Sequence, residues 1–99
     1  MNLLTFDFPG VTSQQYDELC RRLNEGAPLQ TLAEFRHAGY EVAAHIAGPT
    51  TDGSWRIVDV WESDQALEQF RHKLTPLLDQ LGIPRVAPQV VPVHNLVTR

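Results

Sequence analysis

The sequence predicts an α+β fold of the ferredoxin-like kind, β-α-β-β-α-β, with a four-stranded antiparallel sheet carrying two helices on one face. Three observations lead there. Four segments alternate apolar and other residues with a period of two, two segments carry an apolar face with helical spacing, and turn residues separate them in the order that this plan requires. At 99 residues the chain is expected to be one domain spanning 1–99, with a modest core.

Residues 2–8 form the first expected strand: Leu4, Phe6 and Phe8 alternate with Leu3, Thr5 and Asp7, and Pro9-Gly10 closes it. Thr12 with Gln15 three residues on makes a capping box, and Val11 before it can staple onto Tyr16. Tyr16, Leu19, Cys20 and Leu23 then fall on one helical face, which reads Cys20 as a core residue, and Gly26 is the stop. Residues 25–40 are ambiguous. Pro28 opens a short helix carrying Leu29, Leu32 and Phe35, and the segment is either a lid over a pocket or a surface insertion.

Residues 41–48 are the second strand, with Val42, Ala44 and Ile46 on one side and Ala43, His45 and Ala47 on the other. A polar turn at 49–53 joins it as a hairpin to a third strand, 55–62, where Trp55, Ile57, Asp59 and Trp61 share a face. Ser63 caps a helix with Asp64 in its first turn, and Leu67, Phe70, Leu74, Leu77, Leu78 and Leu81 form its stripe. Pro76 inside that stripe predicts a kink, or a fresh start with Thr75 as cap. Residues 89–97 are the last strand, and Pro92 assigns it to an edge.

Large apolar residues occupy both faces of the expected sheet, and helices cover only one. The other face is expected to pair with a second copy of the chain about a two-fold axis. The formal net charge of −4 argues against a nucleic-acid partner, and the opening residues lack the run of a signal peptide or membrane span, so a cytoplasmic protein is expected.

Val60-Trp61-Glu62-Ser63, followed by Ala66, Leu67 and Phe70, resembles the dimeric α/β-barrel superfamily, and more narrowly the antibiotic-biosynthesis-monooxygenase-like proteins. The opening Phe6-Asp7-Phe8-Pro9-Gly10-Val11-Thr12, the Ala47-Gly48-Pro49 turn and the closing Pro92-Val93-His94-Asn95-Leu96 are similar to small members of that group. The resemblance implies a homodimer through the sheet face and a hydrophobic pocket between sheet and helices in each subunit. The activities it implies include cofactor-free oxygenation of polycyclic phenols to quinones and haem degradation. The haem-degrading pattern does not carry over. Its helical tryptophan falls at Phe70, its histidine falls near Gln80 with His72 too early, and Asn2 is at the chain end.

His45, flanked by small residues, and His94, on the last strand, are the candidate general bases. Asp59 sits on an apolar face, where a carboxylate must be paired or have a raised pKa. Trp55 and Trp61 offer flat surface to an aromatic ligand, and Tyr40 or Arg56 can orient a ligand oxygen. His37, His45, His72 and His94 lack metal-ligand spacing, and the single cysteine has no partner, so no metal site is expected. No phosphate loop, nucleophile elbow or dinucleotide fingerprint is present, and no cofactor is expected. Two functions remain open at this point. One is an enzyme, such as a cofactor-independent monooxygenase, acting on an aromatic or polyketide-like molecule. The other is a non-catalytic dimer that binds a small hydrophobic ligand or a partner protein.

Overall fold

The computed structural model describes residues 1–98. The strands are β1 (Asn2–Pro9), β2 (Val42–Pro49), β3 (Ser54–Trp61) and β4 (Gln89–Pro92), and the helices are α1 (Ser13–Leu23), α2 (Leu32–His37) and α3 (Asp64–Gln80). The sheet is antiparallel throughout, in the order β2-β3-β1-β4, as the ferredoxin-like plan requires. Three helices are present, rather than two, because the segment between α1 and β2 forms α2.

One sheet face builds the core. Leu4 and Phe8 of β1, Trp55, Ile57 and Trp61 of β3 and Val42 of β2 are buried in a single cluster with Leu19 and Leu23 of α1, Phe35 of α2, and Ala66 and Leu78 of α3. These are the faces that a period of two selects in the strands and a period of 3.6 in the helices.

The helix starts follow their capping signals. Thr12 accepts from the Gln15 amide at 3.2 Å while the Gln15 side chain accepts from the Thr12 amide at 3.0 Å, so both halves of the capping box are present. Ser63 caps α3 through the Ala66 amide. The cap of α2 is Thr31, through the Glu34 amide, which corrects the expected start at Pro28. A hydroxyl that satisfies an orphan amide locates the start here better than the proline does.

Three further expectations are corrected. A bulge between Val42 and Ala44 turns Val42 onto the face of His45 and Ala47, so the strict alternation expected of β2 fails at its first residue. Helix α3 continues through Pro76, so there is no fresh start with Thr75 as cap. Pro76 is exposed, as is His72 four residues earlier, so the carbonyl that loses its amide partner faces solvent. Gly82, at φ 67°, follows that helix in the left-handed conformation that Gly adopts at low cost. Finally, β4 ends at Pro92, not at 97. Asn2 pairs with Pro92, and the Met1 carbonyl takes the Val93 amide just beyond that pair.

Replacing Thr12 by Ala removes one cap and is expected to cost about 1 kcal/mol, whereas Leu19→Ala empties a core site and costs about 2–5 kcal/mol. Urea unfolding should show both as shifts of midpoint at unchanged slope.

Candidate functional site

Between the sheet and the helices lies an apolar cavity of about 130 Å³. Phe6 and Phe8 of β1, Trp61 of β3, Phe35 of α2 and Phe70 of α3 contribute aromatic walls. Trp61 and Phe70 pack with ring centres 4.6 Å apart. Such a lining suits a flat hydrophobic molecule.

Three polar side chains from three elements converge on this cavity. The hairpin register sets His45 of β2 opposite Asp59 of β3, and His45 Nδ1 lies 2.5 Å from Asp59 Oδ1. On the other side of the ring, Nε2 lies 2.5 Å from the hydroxyl of Tyr16 on α1. Asp59 is only 5% exposed and is the one buried charged residue among those described. A carboxylate only accepts, so Nδ1 carries the ring proton and donates it to Asp59. Nε2 is then left as the acceptor for the Tyr16 hydroxyl. The chain of donors runs Tyr16 to His45 to Asp59.

Burial pushes the Tyr16 phenol far above its ordinary range, with smaller contributions from Cys20 and the Asp59 charge. Tyr16 is therefore a neutral donor at physiological pH. Cys20, one helical turn further on, also lines the cavity, and burial raises its thiol as well, so it is not a thiolate nucleophile. Phe35 of α2 stands 5.1 Å from the His45 ring, and an ion pair from Arg36 to Glu62 at 2.8 Å ties α2 to the end of β3. The segment around α2 thus walls the cavity beside the histidine.

The structure sorts the residues singled out from the sequence. His45, Asp59 and Trp61 line the cavity. Trp55 is buried outside it, its ring 5.2 Å from Tyr16, where it backs the phenol. Tyr40 is a correction: its buried hydroxyl donates to the Leu23 carbonyl at 2.6 Å and fixes the end of α1, so it does not face a ligand. His94 is another. It lies past the end of β4, exposed and away from the cavity, because β4 stops too early to present it. Arg56 lies on the other sheet face, paired with Asp7 at 2.8 and 3.0 Å. Tyr16 was missed from sequence, where it reads as an ordinary member of an apolar helix face. The available signal was that a half-buried tyrosine hydroxyl needs a partner. No group of three His, Cys, Asp or Glu side chains among the described residues could hold a metal ion, and no described helix is long and apolar enough to cross a membrane.

The whole chain superposes on a crystal structure from Deinococcus radiodurans described as a "putative antibiotic biosynthesis monooxygenase", with a TM-score of 0.58 and 8% identity over 98% of that chain. The likeness shows a shared fold. No family model and no curated protein matches the sequence.

Because Tyr16 stays protonated when folded and ionises near pH 10 when unfolded, the unfolded state releases its proton first as pH rises. Tyr16 is thus neutral in effect below about pH 10 and destabilises the fold above it. Thermal melts between about pH 8 and 11.5 should fall more steeply for the wild type than for Tyr16→Phe above pH 10. Equal slopes would contradict the shift.

Proposed function

We propose that this protein is a small-molecule enzyme of the antibiotic-biosynthesis-monooxygenase-like type, in which the Tyr16–His45–Asp59 chain takes a proton from an aromatic or polyketide-like substrate. The observation that carries the reading is the convergence of an acceptor histidine, a buried carboxylate and a neutral phenol on an otherwise apolar cavity. A domain that only binds hydrophobic ligands has no need of a buried carboxylate and its partners, which cost free energy to desolvate. The description of the structural neighbour as a monooxygenase supports the same choice.

The chemistry follows from the donor order. A substrate methylene flanked by aromatic or carbonyl groups gives its proton to the Tyr16 oxygen as the Tyr16 proton moves to His45 Nε2. The two transfers are concerted, because burial disfavours a free phenolate. Asp59 stabilises the imidazolium that forms, as the acid of a nucleophilic triad does. The carbanion then passes one electron to molecular oxygen, and recombination forms a C–O bond. The resulting peroxide takes the proton back along the same chain. Loss of the second methylene hydrogen as a proton with cleavage of the O–O bond leaves a ketone and water, so CH₂ plus O₂ becomes C=O plus H₂O. Trp61 and Phe70 hold the ring system, and the apolar walls keep water from the carbanion.

With an anthrone as substrate, oxygen uptake and quinone absorbance should both fall by about 10²–10⁴-fold in His45→Ala, and Tyr16→Phe should be impaired in the same assay. Wild-type rates in both variants would refute the relay.

The homodimer belongs to the same proposal. Ile46 and Val91 are exposed on the sheet face away from the helices, and a second copy would cover them. Light scattering should return twice the 11.2 kDa chain mass, and Ile46→Glu should shift it toward the monomer.

A further inference from the structure

The cavity is not symmetric. His45 lies on β2, at one edge of the sheet, and the lining continues across β3 and β1 to Arg85 and Pro88 on the segment that feeds β4 at the other edge. Three strand spacings separate those edges, about 14 Å. The proton relay occupies the β2 end. The lining also contains Arg71 and Thr75, one helical turn apart on α3, together with Arg85.

The two arginines differ. Arg85 is engaged by both oxygens of Asp79, at 2.6 and 3.3 Å, a two-pronged contact. Arg71 has only a loose pair with Glu68 at 3.9 Å, with both side chains more than three-fifths exposed. Such a pair exchanges partners readily, because water screens it and both groups keep most of their hydration. The mouth of an apolar cavity therefore carries an available guanidinium with a hydroxyl one turn away, a set suited to a carboxylate. The Asp59 carboxylate, buried in the same lining, repels an anion. The two charges together would orient a charged ligand one way round.

We propose that the substrate is an aromatic carboxylate: a flat apolar body whose reacting carbon lies at the Tyr16–His45 end and whose carboxylate is held by Arg71 at the mouth. This rests on the proposed function for which end reacts, but the anion contact is read by binding alone and needs no turnover. Arg71 is thus a specificity residue. It selects acids over neutral molecules of the same shape, in a protein whose overall charge of −4 would otherwise disfavour them.

The test uses anthracene-2-carboxylate and anthracene-2-carboxamide, titrated against the 99-residue chain near neutral pH by quenching of tryptophan fluorescence. Trp61 in the cavity wall reports occupancy. The acid should bind about tenfold more tightly than the amide, and the preference should shrink in about 0.5 M salt. Arg71→Gln should abolish the preference and Arg71→Lys should keep part of it. Arg71 is exposed, so neither change threatens folding. Equal binding of acid and amide by the wild type, or an undiminished preference in Arg71→Gln, would overturn the assignment. A failed proton relay would show instead as unchanged turnover in His45→Ala, with the acid preference intact.

Discussion

A carboxylate in the middle of an apolar sheet face is the constraint around which this molecule is organised. Asp59 lies on β3 between Ile57 and Trp61, both buried, and is itself shielded from solvent. Leaving such a charge unpaired costs several kcal/mol. Its partner must come from the next strand or from a helix overhead. His45, directly opposite on β2, supplies one N–H, and that choice fixes the state of the rest of the ring. With Nδ1 committed to Asp59, Nε2 becomes an acceptor and calls for a donor from the helix layer. Tyr16 provides it. One buried charge thus ties two strands to α1 and sets where that helix sits over the sheet.

The same constraint explains why the cavity is both apolar and chemically poised. Aromatic side chains from β1, β3, α2 and α3 line the cavity together with the relay, and the small residues Ala43 and Ala47 stand two residues either side of His45 on β2. Around an imidazole, small neighbours leave room while large neighbours exclude water. Exclusion strengthens the field of Asp59 at the ring and keeps Tyr16 neutral. Under the proposed function, burying the carboxylate preorganises the acceptor of the substrate proton.

Much of the fold was legible because its signals are local. The Thr12–Gln15 box and the Ser63 cap start helices where those residues predict, and the period of two places Trp55, Ile57, Asp59 and Trp61 on one face. Two of the misreadings are non-local. The bulge that returns Val42 to the core depends on how β2 meets β3 beyond His45, and the end of β4 depends on where β1 begins. For the site, each half was legible and the join was not. His45 and Asp59 stood out separately as candidates. Once the turn between Pro49 and Ser54 is placed, counting back from it pairs His45 with Asp59. Tyr16 was harder, because helix periodicity explains it fully as packing and only its hydroxyl is unaccounted for. His94 misled for the opposite reason: it was assigned to a strand that ends before reaching it.

Two indole nitrogens extend this reasoning. The N–H groups of Trp55 and Trp61 are buried without a hydrogen-bond partner among the described residues. For Trp55, which backs Tyr16 away from the cavity, that is a cost of packing a large ring behind the phenol. Trp61 packs its ring against Phe70 with centres 4.6 Å apart, and its buried N–H is the corresponding cost of closing the wall beside Asp59 with two large rings. A buried donor without an acceptor costs about 1–3 kcal/mol, a sum that burying an indole of this size offsets. The two indoles and the relay thus represent opposite solutions to burial: Asp59 is held by hydrogen bonds from two elements, whereas the tryptophans are held by packing alone.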